Sequence, residues 1–196
     1  MWQHHGLPVV PWRVVGSLAD KVSVIDALGL PMAIKPASEG SSLGVSKVNK
    51  AEEFDEAFKL ARSYEEVVVA EPWIGGREMA MPINNGVVYP AIDIKTPREF
   101  YDYEAKYVVD TTDYVCPCAL DGDIEKRMQD IAVKAYATTR CEGVVRADFK
   151  VEGDKVWLFE LNTMPGLTEK SLVPKSAKVF GLSFQELVLG MLEETL

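Results

Sequence analysis

The chain has 196 residues, 47% hydrophobic and 26% charged, which is enough to bury a core and fits an ordinary globular composition. A formal net charge of −9 argues against a nucleic-acid partner, which usually meets a basic face, yet a few converging Lys and Arg still suffice for a nucleotide. Three cysteines, Cys116, Cys118 and Cys141, make no disulfide framework, and Cys116-Pro-Cys118 lacks the C-x-x-C spacing of redox and metal pairs. Free thiols in a reducing cytosol are expected. With no signal peptide and no apolar run of about eighteen residues, no membrane association and a cytoplasmic location are expected.

In chain order, "GLPVVPWRVV" reads as a proline-containing loop and then a strand. "SLADKVSVIDALGL" predicts a helix capped by Ser17, with Leu18, Val22, Ile25 and Leu28 on its buried face. "PMAIKP" is a strand closed by Pro36, and "VSKV" is a short strand beyond the polar stretch that follows. "NKAEEFDEAFKLARSY" is amphipathic, with Phe54, Ala57, Phe58 and Ala61 on one face. "EVVVAEPW" is a β-branched strand, and "REMAMPINNGVVYPAIDI" a hairpin turned at Asn84-Asn85-Gly86. "KTPREFYDYEAKYVVDTTDYVCPCAL" has no helical or strand period and reads as a long functional loop. A helix follows, burying Ile124, Met128, Ile131, Ala135 and Tyr136. Next come a hairpin turned at Gly153-Asp154, a second functional loop "TMPGLTEKSLVP", and a last helix with Ser183 and Glu186 as its capping box. The order mixes strands and helices, with hairpins rather than strict βαβ alternation, so α+β is the expected class. A boundary near Glu78 divides the chain into 1–78 and 79–196.

Three groups of residues point to chemistry. Pairing about Gly153-Asp154 brings Asp148 nearly opposite Glu160, with Asn162 on the same face two residues on. Two carboxylates and an amide oxygen suit Mg²⁺; a solvated cross-strand ion pair with Arg146 is the competing reading. Lys35 ends an apolar strand and Lys106 sits in the long loop beside Tyr103 and Tyr107, as phosphoryl transfer requires of its cations; exposed charges are the plain alternative. "AEPWIGGRE", with Glu71, Trp73, Ile74 and Glu78, has the makings of an adenine- and ribose-binding linker or of a simple hinge. "KPASEGSSLGVSKV" is either a surface turn or a phosphate cradle.

"IKPASEGSSLGVSKV", "EPWIGGRE", "YDYEAKY", "RADF" and "FELNTMPGLTEKS" occur in this order. Together they resemble the ATP-grasp D-alanine–D-alanine ligases, over nearly the whole chain. The resemblance implies an α+β ATP-grasp fold of two subdomains with nucleotide between them. It implies that ATP phosphorylates one D-alanine and a second attacks the acyl phosphate, for peptidoglycan synthesis. By resemblance, Lys35, Ser41, Ser42, Glu71, Trp73, Ile74, Glu78 and Lys106 bind ATP. Asp148, Glu160 and Asn162 hold two Mg²⁺ ions, with Mn²⁺ as a substitute. Arg146, Ser42 and Tyr107 serve the reaction, and Gly166, Ser171 and Leu172 receive the second D-alanine.

Relatives carry a further N-terminal domain and a phosphate-binding lysine that this sequence does not show, so weak or absent ligase activity of the chain is expected. The alternatives are a nucleotide-binding module without ligase activity, or another ATP-grasp carboxylate–amine ligase. A D-lactate-using variant is a further one, though "YDYEAKY" favours D-alanine by resemblance. A homodimer is the assembly the resemblance allows.

Overall fold

The computed structural model describes residues 1–96 and 112–193. The expected Tyr103, Lys106 and Tyr107 lie outside the described residues. Among the described residues, all pairings between strands are antiparallel, in one four-stranded and one six-stranded sheet. The chain divides into two compact units, Val10–Ile74 with Thr96–Thr112, and Met1–Val9 with Gly75–Lys95 and Asp113–Leu196. The sequence places a boundary near Glu78, the second residue of a strand; the division between the compact units falls at Ile74 and Gly75, and the first nine residues join the larger unit.

The smaller unit holds β1 (Arg13–Val15), β2 (Met32–Pro36), β3 (Ser46–Val48) and β4 (Val68–Pro72), ordered β1-β4-β2-β3. Helices α1 (Lys21–Leu28) and α2 (Phe54–Tyr64) supply its core partners. Phe54, Ala57, Phe58 and Ala61 are buried as their spacing requires, against Met32, Ile34, Val68 and Ala70. Burial of this apolar stripe drives α2 onto the sheet. The other side of the same strands carries Ala33, Lys35, Lys47, Val69 and Glu71, by register.

The expected face of α1 is corrected. Leu18 and Val22 are exposed, Val24 is buried, and Ile25 and Leu28 pack at the core's edge. A tight turn at Leu18–Asp20, capped by Ser17 and closed by Asp20, precedes the helix. It breaks the 3.6-residue phase, so the helical stripe counts from Lys21 rather than Leu18.

The larger unit holds β5 (Arg77–Asn84), β6 (Val87–Val88), β7 (Ile92–Lys95), β8 (Asp113–Val115), β9 (Val144–Glu152) and β10 (Lys155–Asn162), with main order β10-β9-β5-β7-β8. One face packs Met79, Met81, Ile83, Val145, Ala147 and Phe149 against α3 (Gly122–Thr139). Met128, Ala135 and Tyr136 of α3 are buried there, while Ile124 and Ile131 are only partly covered. A separate cluster joins Tyr89 and Val144 to Val173, Ala177 and Leu187 of α4 (Leu172–Phe180) and α5 (Phe184–Glu193).

Two loop expectations are corrected in this unit. Asp113–Val115 forms β8 inside the stretch read as periodless, because three residues are too few to show alternation. Leu172, Val173 and Pro174, read as loop, open α4. Proline is tolerated there because a first-turn N–H has no helical partner to lose.

Candidate functional site

The β9–β10 hairpin turns at Gly153 and Asp154, where Gly153 has φ 60. Pairing then runs regularly from Lys155 with Glu152 to Leu158 with Phe149. Beyond that point Phe159 is an extra residue, and Glu160 lies opposite Asp148, Leu161 opposite Ala147 and Asn162 opposite Arg146. The hydrophobic pattern demands this bulge. Val156, Leu158 and Leu161 all pack into the same core, and the last step is three residues rather than two. The extra residue keeps Leu161 inward and leaves Glu160 and Asn162 on the face with Arg146 and Asp148.

On that face Arg146 grips Asp148 with two hydrogen bonds, Nε to Oδ1 at 2.6 Å and Nη2 to Oδ2 at 2.7 Å. Both side chains are less than one-fifth exposed (18% and 19%), so solvent screens the pair little. One bond to each oxygen still leaves a lone pair on each. Asp148, Glu160 and the amide of Asn162 therefore remain a donor set that fits a hard divalent cation. No group of three or more His, Cys, Asp or Glu side chains able to hold a metal occurs among the described residues; the third donor here is an amide. Asn162 Oδ1 also accepts from the Met164 N–H at 3.0 Å, which fixes the amide's orientation.

Neighbouring β5 extends the same face. Glu78 lies opposite Lys150 and the two form an ion pair at 2.9 Å. Lys150 escapes the sequence reading, although Arg146, Asp148 and Lys150 alternate on one strand and so must share a face.

In the smaller unit, Lys35 on β2 donates to Glu71 Oε1 on β4 at 2.7 Å, with Glu71 13% exposed. Lys47 of β3, also unforeseen, sits 5.0 Å from the centroid of the Trp73 ring. The Trp73 N–H bonds the Pro31 carbonyl, anchoring the segment that ends at Ile74. Lys35, Lys47, Glu71 and Trp73 thus gather around one side of the four-stranded sheet. Ser41 and Ser42 lie in the loop after β2 with φ 53 and 60, a left-handed region that residues other than glycine seldom occupy.

Gly166 lies against Ser171: a Cβ there would come within 2.9 Å of the Ser171 hydroxyl. That hydroxyl also contacts the Thr168 hydroxyl at 2.8 Å, and Ser171 is the residue before α4. Leu172 is buried and opens α4. The cysteines stand apart from these groups. Burial pushes the Cys118 thiol up to about 11 and raises that of Cys116, which keeps both protonated near neutrality.

A family model described as "D-ala D-ala ligase C-terminus" matches residues 1–193. The chain is 45% identical over 199 residues to a D-alanine--D-alanine ligase of Acinetobacter baumannii, covering all of this chain and 65% of that protein. It is 44% identical to one from Saccharophagus degradans, covering 63% of that protein. The chain therefore spans just under two thirds of these relatives' length. Among solved structures, a D-alanine--D-alanine ligase from Bacillus anthracis complexed with ATP superposes with TM-score 0.84 at 26% identity, over 98% of this chain and 62% of that one. The VanG D-Ala:D-Ser ligase from Enterococcus faecalis superposes with TM-score 0.85 at 28% identity, over 99% of this chain and 59% of that one. The α+β arrangement is the ATP-grasp fold, and the chain belongs to the D-ala D-ala ligase C-terminus family.

Proposed function

We propose that this chain supplies the ATP- and metal-binding part of a ligase that joins two D-alanines into D-alanyl-D-alanine for peptidoglycan, with release of ADP and phosphate. The observation that carries the reading is Asp148 directly opposite Glu160, with Arg146 and Asn162 paired beside them. The relatives named above support the choice of reaction.

In this reading Lys35, Ser41 and Ser42 hold the phosphates of ATP. Glu71, Trp73 and Ile74 hold its base, Glu78 its ribose, and Lys106 the phosphate that is transferred. Asp148, Glu160 and Asn162 would hold two Mg²⁺ ions, with Mn²⁺ as a substitute; when bound, such ions neutralise phosphate charge as it shifts to the leaving group. The first D-alanine's carboxylate takes the terminal phosphoryl group, and ADP leaves. The second D-alanine's amine then attacks the acyl carbon, and phosphate departs. Arg146 offers its positive charge to the oxygen that becomes anionic in that attack, with Ser42 and Tyr107 positioning the first substrate. Gly166, Ser171 and the backbone of Leu172 orient the second D-alanine through its carboxylate. No side-chain nucleophile is required, because positioning and charge supply the rate. The reaction belongs in the cytoplasm, with no nucleic acid or membrane partner, and a homodimer is an assembly the resemblance allows. No helix among the described residues is long and apolar enough to cross a membrane.

Calorimetric titration with ATP tests the site. Binding is expected with Mg²⁺ and should fall at least tenfold with chelator, or after Glu160→Gln. A coupled ADP-release assay on this chain and on the complete gene product tests the reaction, with D-alanine, D-serine and D-lactate compared as second substrates. ATP binding without any substrate-dependent ADP release from the complete product would leave a nucleotide-binding module. Release driven only by other carboxylates and amines would indicate a different carboxylate–amine ligase.

A further inference from the structure

The serine loop after β2 is tied at both ends to the C-terminal end of α2. At its start, Glu65 accepts two hydrogen bonds from Ser38: the backbone N–H reaches Oε2 at 2.6 Å and the hydroxyl reaches Oε1 at 2.8 Å. The neighbouring Ala37 N–H donates to the Val67 carbonyl at 2.9 Å. At its far end, Gly44 has φ +69 and lies against Tyr64, so closely that a Cβ there would be 2.8 Å from the ring's Cδ2. Only a residue without a side chain fits in that conformation at that spot.

The local chain explains how Glu65 is available. It follows the last residue of α2, has the extended angles φ −149 and ψ 151, and caps the helix through its own N–H to the Ala61 carbonyl. Its carboxylate is therefore released from helical geometry and reaches the loop. Between the two tethers, Ser41 and Ser42 hold consecutive left-handed angles, a conformation that persists only where surroundings impose it. The bonds from the Ser38 backbone and hydroxyl also hold the Glu65 carboxyl below its ordinary range.

We propose that Tyr64 and Glu65 are positioning residues for the serine loop, holding residues 37–44 in the bent path that keeps Ser41 and Ser42 ready for an anion. That the anion is a nucleotide phosphate rests on the function proposed above; the tether itself does not. A loop already bent before its ligand arrives loses less freedom on binding, so affinity depends on residues that never touch the ligand.

Amide hydrogen exchange on the ligand-free chain, paired with Mg-ATP titration, tests this for the wild type, Glu65→Ala, Glu65→Gln and Tyr64→Ala. Glu65→Ala keeps its backbone cap, so exchange in β2 and β4 should stay unchanged while exchange across 38–44 rises by about tenfold. Mg-ATP binding should weaken by roughly three- to tenfold, through the cost of ordering the loop. Tyr64→Ala should loosen the Gly44 end. Glu65→Gln, whose amide accepts from the Ser38 N–H and donates to its hydroxyl, should stay within about twofold of wild type. Unchanged exchange across 38–44 in Glu65→Ala, or equal loosening in Glu65→Gln, would overturn the tether. If the wild type binds no ATP, the functional reading fails, and the exchange data still decide on the tether.

Discussion

At the scale of single residues, the ion pair between Arg146 and Asp148 organises the charged face of the larger unit. Two charge-assisted bonds at 2.6 and 2.7 Å hold the Asp148 carboxylate in one orientation, on the strand position opposite Glu160. Replacing Arg146 with Ala removes both bonds from a largely buried carboxylate. It should cost about 1–3 kcal/mol of stability, read from urea unfolding. A loss near zero would show that Asp148 is held by other neighbours. The same scale shows the reach of simple alternation. Asp148 and Glu160 were legible as partners because a Gly-Asp turn between two strands leaves few registers. The partner of Glu78 was not, because pairing Lys150 with Glu78 requires that β9 lie beside β5, which the one-dimensional pattern does not contain.

At the scale of elements, caps and connections decide where segments begin and how closely they approach. The turn from β4 into β5 passes through Gly75 and Gly76. Gly76 has φ +81, and a Cβ there would meet the Val151 carbonyl at 2.2 Å. Gly76→Ala combines left-handed strain with an overlap against backbone that cannot move aside. It should destabilise the larger unit by about 2–4 kcal/mol, measured by urea unfolding; an undisturbed variant would mean the strand shifts freely. Helix α5 begins with a reciprocal cap: the Ser183 N–H donates to Glu186 at 2.7 Å, and the Glu186 N–H to the Ser183 hydroxyl at 3.2 Å. Bonds from the Ser183 side chain and backbone hold the Glu186 carboxyl below its ordinary range. A lowered folded value means the cap is complete above the usual carboxylate range and is lost as pH falls through the folded value. NMR titration should place the Glu186 midpoint below that of an ordinary Glu side chain, and Ser183→Ala should return it upward. The capping box was readable because its residues are local. Helix α4 was not, because its opening Leu172-Val173-Pro174 reads as a loop until burial of Leu172 and Val173 is known.

At the scale of the whole molecule, each unit carries its own core, and the cores differ in construction. In the smaller, the amphipathic helix α2 is pressed on a four-stranded sheet, and Val24 of α1 joins the same cluster. Phe54 is fully buried there, and Phe54→Ala should cost about 3–5 kcal/mol. Amide exchange should rise in β2 and β4, the strands that α2 covers; unchanged protection in those strands would refute the assignment of Phe54 to this core.

The sequence by itself determined the α+β class, the α2 stripe, the β9–β10 turn and the ordered motifs of the ligase family, since each depends on local period, turn chemistry or residue order. Only the tertiary structure decided the Phe159 bulge, the division at Ile74 and Gly75, the phase of α1, and the pairing of Lys47 with Trp73 and of Ser38 with Glu65. The phase of α1 follows from the local turn at Leu18–Asp20; the others arise where separate segments pack into one core or meet in space. A cross-strand neighbour has no fixed distance along the chain, so no sequence period records it.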